Sequence, residues 1–298
     1  MTYLYKSPVF TTPAPAAALS PETAHRAAES LHRILLRLSP RETLPDLTVE
    51  TFYAAVLAEA SIGGDSCDAF PLTGGRTVLT VSDASGKGLD AAERIAEVRF
   101  ALRAFLREHD DPRTALACLN NFVCTSQHLG GRDSGAFVTL TLVLLDNDTG
   151  AMTCLCAGGE PPLVVRNRGE VETVTIRGTA LGLHPNLTYD TAESRLDSGD
   201  TVLLATDGIT EARHFFPSTP AGSRGSSFLG TEGLGRLARR YWKDCMPNVS
   251  ETVPELGRAI FEGVRTFAGG AFHDDACLLI ARRKTRAERF SDSYGTLG

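Results

Sequence analysis

The sequence predicts one α+β domain with helices layered outside stacked antiparallel sheets. Three observations carry that reading. Apolar runs follow one another as hairpins, around the turn DNDTG in residues 136–157 and around DSGD in residues 188–205, rather than alternating with helices. Helical periodicity gathers in blocks, 89–128 and 231–267. Four separate segments set an aspartate at one end of an apolar run: Asp65, Asp83, Asp207 and the pair Asp274–Asp275.

Composition narrows the functional classes. Hydrophobic residues at 42% and charged residues at 22% are ordinary for a folded chain of 298 residues. A net charge of −6, with no basic aromatic-studded segment, argues against nucleic-acid binding. No apolar run is long enough to span a bilayer, and the N-terminus lacks the charged start and long apolar centre of a signal peptide. A cytoplasmic protein is expected. Seven scattered cysteines with no CxxC pair do not fit a disulfide framework or a zinc knuckle.

In chain order, residues 1–20 are rich in proline and small residues and read as a flexible arm. Ser20 as N-cap, Pro21 and Glu22 open a helix over 21–39, with Ala27, Leu31, Ile34, Leu35 and Leu38 on one stripe and Pro40 as its stop. Such a helix packs on its own domain or pairs with a partner. The domain proper is expected over 41–284, and residues 285–298 form a charged tail. Residues 49–57 read as the first strand. Asp65 and Asp83 then flank one strand, TVLTV, and Asp83 opens a Gly-rich turn before the helix over 89–107. A second helix spans 113–128. The hairpin runs follow, then a Gly, Ser and Pro-rich loop over 213–230, helices over 231–242 and 250–267, and a last strand over 276–282.

A lone strand-end aspartate is usually a turn former or cap. Several converging in one domain repel one another unless cations sit among them, and oxygen-only ligands suit hard divalent ions. The segments GGDSCD, VSDASGKGLDAA, LLATDGITEA and HDDACLLIAR resemble, in order, the signature blocks of the metal-dependent PPM protein phosphatases. More closely, they are similar to the bacterial SpoIIE/RsbU-type branch of the protein phosphatase 2C superfamily. The resemblance extends over about residues 30–283 and includes the hairpin at 136–165 and FLGTEGLGRLA.

It implies a four-layer α-β-β-α sandwich and two Mn²⁺ or Mg²⁺ ions. Asp83 would bridge both, the Ala84 carbonyl would add a ligand, and Asp65, Asp207 and Asp274 would complete the shells. Asp68 and Asp275 are candidate outer ligands, with Asp274 preferred over Asp275 by spacing. The implied activity is hydrolysis of phosphoserine or phosphothreonine on a protein, typically an anti-sigma-factor antagonist, by a water held between the ions. Regulation is expected from an activator in trans, or from a homodimer through the helix at 21–39.

The chain departs from the family in places. Gly158-Gly159-Glu160 stands where a Gly-His pair is usual, and Ala276-Cys277 where a β-branched residue and Thr are usual. Lys87 is a candidate phosphate contact or a solvated turn cation. His273 is a candidate general acid or an exposed loop residue. Two rival functions stay open: a phosphatase-fold module that binds a phosphoprotein without turnover, and a phosphohydrolase of small molecules.

Overall fold

Two five-stranded antiparallel sheets stack face to face, and a pair of helices covers each outer surface. The computed structural model describes residues 44–56, 63–129, 135–215, 225–245, 252–285 and 288–289. The arm at 1–20, the helix expected over 21–39 and most of the tail at 285–298 lie outside the described residues.

The elements run β1 (Leu47–Ala54), β2 (Asp65–Leu72), β3 (Arg76–Ala84), α1 (Leu89–Glu108), α2 (Pro112–Leu129), β4 (Val138–Asp146), β5 (Ala151–Ala157), β6 (Leu163–Val165) and β7 (Val171–Thr173). Then come β8 (Ala192–Arg195), β9 (Thr201–Ala205), α3 (Asp207–Thr210), β10 (Arg213–Phe215), β11 (Ser226–Phe228), α4 (Gly230–Cys245), α5 (Thr252–Phe267) and β12 (Ala276–Arg283). One sheet has the order β1-β12-β9-β6-β7 and the other β2-β3-β4-β5-β8. A two-stranded ribbon, β10-β11, forms at the two ends of the segment expected to be loop.

Three apolar layers make the stack a four-layer sandwich. Strand alternation decides which residues enter which layer. On β2, Cys67 and Ala69 look between the sheets, whereas Phe70 and Leu72 look out under α1 and α2. On β12, Cys277, Leu279 and Ala281 look between the sheets, whereas Leu278 and Ile280 meet α4 and α5. Each large side chain fully buried in these layers contributes about 1.5–3 kcal/mol.

Two expectations are corrected here. Asp65 does not lie at the far end of a single strand from Asp83. Residues 65–72 are themselves a strand, and Gly74 and Gly75, with φ of 77° and 69°, turn it back onto β3. Cys67 and Cys277 also form a disulfide that joins the two sheets across 210 residues of sequence. The count and spacing of cysteines cannot anticipate it, because stacking of distant strands makes the pair. Among the described residues no helix is long and apolar enough to cross a membrane.

Candidate metal centre

The hairpin β2–β3 sets Asp65 directly opposite Asp83 in register. Both lie on the side of their strands that faces the other sheet, in phase with Cys67 and Ala69 on β2 and with Leu79 and Val81 on β3. The two carboxyl groups act directly on each other's ionisation. Burial, and then the Asp83 charge, pushes Asp65 well above the usual carboxylate range. Burial raises Asp83 as well.

The second sheet supplies the rest. β9 ends at Thr206, whose hydroxyl donates to Asp65 Oδ2 at 2.6 Å and accepts from the Cys277 N–H at 2.9 Å. This residue ties the two sheets together where Asp207 begins α3. Gly208 follows because a Cβ there would stand 1.8 Å from the Asp275 carbonyl oxygen, so only glycine lets α3 start against β12. Asp207 is pushed up to about 6 by burial first, then by the charges of Asp83, Glu211, Asp274 and Glu160.

The aspartates before β12 divide in role. Asp275 accepts from the Val56 N–H at 3.0 Å and from the Gly64 N–H at 3.1 Å, so each oxygen holds backbone. Asp274 is exposed and meets Lys87 Nζ at 3.5 Å. Lys87 thus points to the carboxylate cluster from the turn after Asp83, with its side chain 57% exposed. His273 instead packs on Phe215, ring centroids 5.2 Å apart.

Asp68 is not brought to this cluster. It lies on the other face of β2, buried beneath α1, where Arg103 Nε donates to Oδ2 at 2.7 Å and Arg99 donates to Oδ1 at 3.0 Å. Burial by itself would raise this carboxyl, but the hydrogen bonds from Arg103 and Arg99 outweigh it and hold Asp68 below the usual range. Three residues along a strand reverse the face, which removes Asp68 from the outer-ligand candidates.

The cluster fits hard divalent cations. Asp65, Asp83, Asp207 and Asp274 supply only oxygen; burial first, and then neighbouring carboxylate charge, raises Asp65, Asp83 and Asp207, while the exposed Lys87 acts on Asp83 in the other direction. A Cβ on Gly64 would lie 2.7 Å from the Ala84 carbonyl oxygen and 3.0 Å from Asp83 Oδ1, so a glycine keeps clear the space those two oxygens share. No three His, Cys, Asp or Glu side chains among the described residues are gathered closely enough to hold one ion alone.

Sequence reasoning passed over Thr206, although it lies inside the quoted LLATDG run. Glu160 was noted only as a departure, yet its charge acts on Asp207. Its position two residues after a strand-end glycine was the available signal.

Comparison with known proteins follows the same lines. Residues 73–284 match the family described as Stage II sporulation protein E (SpoIIE). Protein IcfG of Synechocystis is 26% identical over 194 residues, 57% of this chain and 30% of its own length. The phosphoserine phosphatase RsbU of Bacillus subtilis is 23% identical over 207 residues, 69% of this chain and 55% of its own. The chain therefore spans well under two thirds of either relative. The solved RsbU and RsbW domains of Rv1364c from Mycobacterium tuberculosis superpose with a TM-score of 0.65 at 25% identity, covering 82% of this chain and 63% of that one. The catalytic domain of the serine/threonine phosphatase PstP, solved with two manganese ions, has the same fold, with a TM-score of 0.56 at 17% identity over 80% of this chain and 99% of that one.

Proposed function

The chain belongs to the SpoIIE family of PPM-type serine/threonine phosphatases, and from that membership we propose that it is a metal-dependent phosphoprotein phosphatase. The observation that carries the proposal is the convergence of Asp65, Asp83, Asp207 and Asp274 at one end of the sheet stack. In this reading Asp83, the Ala84 carbonyl, Asp65, Asp207 and Asp274 would hold two Mn²⁺ or Mg²⁺ ions. Ions bound there would supply an acidified water and positive charge for the phosphoryl oxygens, the chemistry of direct hydrolysis without a phosphoenzyme.

The chain's own groups orient that chemistry. Thr206 fixes the Asp65 carboxylate through its hydroxyl. Asp275 fixes the backbone on both sides of residues 57–62, and so positions Gly64 beside Ala84. Lys87, exposed beside Asp274, offers a positive charge to a phosphate entering from solvent.

The substrate we propose is a phosphoserine or phosphothreonine on a regulatory partner of the anti-sigma-factor-antagonist type. Phosphoserine phosphatase activity in the named RsbU relative supports that class, as do the joined RsbU and RsbW domains of Rv1364c. A cytoplasmic location, and regulation by an activator or a second copy through residues 21–39, complete the proposal. The test is hydrolysis of p-nitrophenyl phosphate and of a phosphoserine peptide with Mn²⁺ or Mg²⁺ present and after chelation. Turnover that vanishes on chelation and returns with metal is the expected result. Absence of turnover on both substrates with metal present ends the reading.

A further inference from the structure

A groove of about 590 Å³ is lined by Thr173 at the end of β7 and by Thr175 and Arg177 just beyond it. It shares Gly158, Gly159 and Glu160 with the small cavity of about 150 Å³ that Asp207 and Glu211 line. The groove touches Thr231 and Glu232 at the start of α4, outside the sheet, and also Cys156 and Gly178 of the inner layer. A space bounded by both layers lies at the strand's edge rather than over a face.

β7 is the last strand of its sheet. The Arg166 N–H donates to the Glu170 carbonyl and the Val174 N–H to the Pro162 carbonyl, while Val164 stands opposite Glu172. Residues 170, 172 and 174 thus turn their backbone groups to β6, and alternation turns those of Thr173 and Thr175 outward. Neither Thr173 nor Thr175 donates its backbone N–H to a partner among the described residues. Such an edge is what an extended polypeptide pairs with. Arg177 makes no ion pair among the described residues, so its charge is available to the same occupant.

We propose that this groove holds the backbone of the phosphorylated protein substrate as an added strand against Thr173 and Thr175, with the phosphoresidue reaching past Glu160 to the aspartates. The proposal rests on the phosphatase reading above. It assigns substrate recognition to a strand edge and to Arg177, which selects an acidic residue flanking the phosphoserine. Backbone pairing would admit varied side chains, and Arg177 would supply the preference for an acidic neighbour.

The experiment compares two substrates, p-nitrophenyl phosphate and a phosphoserine peptide with acidic flanking residues, in the wild type, Thr175→Pro and Arg177→Glu with Mn²⁺. Proline removes the outward N–H and suits an extended backbone. Each variant should lose roughly tenfold in kcat/KM on the peptide, the scale of one or two hydrogen bonds or a charge contact, and keep wild-type turnover of the aryl phosphate. Melting temperatures near wild type establish that both variants fold. Unchanged peptide hydrolysis in both overturns the groove assignment, as does an equal loss on both substrates. Hydrolysis of neither substrate by the wild type removes the phosphatase reading, and this assignment falls with it.

Discussion

Asp65 looks from β2 toward the second sheet, meeting the Asp83 carboxylate of the adjacent β3 and, across the gap, the Thr206 hydroxyl. Asp68, on the same strand, looks the other way and meets two arginines. Both are almost fully buried, at 2% exposure each. Burial pushes either carboxyl toward neutrality, and only the company differs: Asp65 is driven up and Asp68 is held down. A buried carboxylate whose charge the chain itself neutralises is part of the scaffold. One that the chain leaves among like charges is where the proposed cations would bind.

The sharpest way to break that comparison is Asp83→Asn. The amide keeps the shape of the Asp65–Asp83 pair but removes the charge both ions would share. Phosphatase turnover should fall by a thousandfold or more, which is at least about 4 kcal/mol of transition-state stabilisation. Calorimetry should show Mn²⁺ binding lost, while the melting temperature without metal rises or stays level, because a like-charge contact is relieved. Retention of tight Mn²⁺ binding would mean the aspartates are not the cation site.

Asp68→Asn should do the reverse. It removes the buried charge that Arg99 and Arg103 both meet and costs about 3 kcal/mol of stability. Mn²⁺ affinity and turnover, measured well below the melting temperature, should stay near wild type. The pH dependence has a definite sign. Because the folded pKa of Asp68 is depressed, its contribution is fully present above the unfolded value of about 3.9 and is lost as pH falls through the lower folded value. The wild type should therefore lose stability below about pH 4 more steeply than Asp68→Asn does, read from melting temperatures over that range.

How much of this was legible in the chain follows from the same strand. The aspartates at 83, 207 and 274 stand at the ends of apolar runs, so a site at one end of a sheet stack could be read from pattern alone. Residues 65–72 were harder, because GGD and two further polar residues look like a turn. Their alternation, Cys67 and Ala69 against Asp68 and Phe70, was the clue that separates the two carboxylates. The sheet-to-sheet disulfide and the two backbone bonds of Asp275 were not legible, because each joins segments whose nearness is made only by stacking and chain crossing. Thr206 belongs to the same group: its value depends on both sheets being in place.

Thr206→Val sharpens the comparison with the smallest effect. Valine keeps the volume but can neither donate to Asp65 Oδ2 nor accept from the Cys277 N–H. Losing the donor should let Asp65 reorient and hold its proton more tightly, weakening Mn²⁺ binding roughly tenfold, the scale of a hydrogen bond to a charged group. The orphaned Cys277 N–H should cost a further 1–2 kcal/mol or about that in stability, since a buried donor without a partner keeps its desolvation penalty. Thr206→Ser, which restores the hydroxyl without the methyl, should recover most of the Mn²⁺ affinity in calorimetry. If serine and valine weaken binding equally, Thr206 acts through packing, and Asp65 owes its position to the β2–β3 hairpin and Asp83 alone.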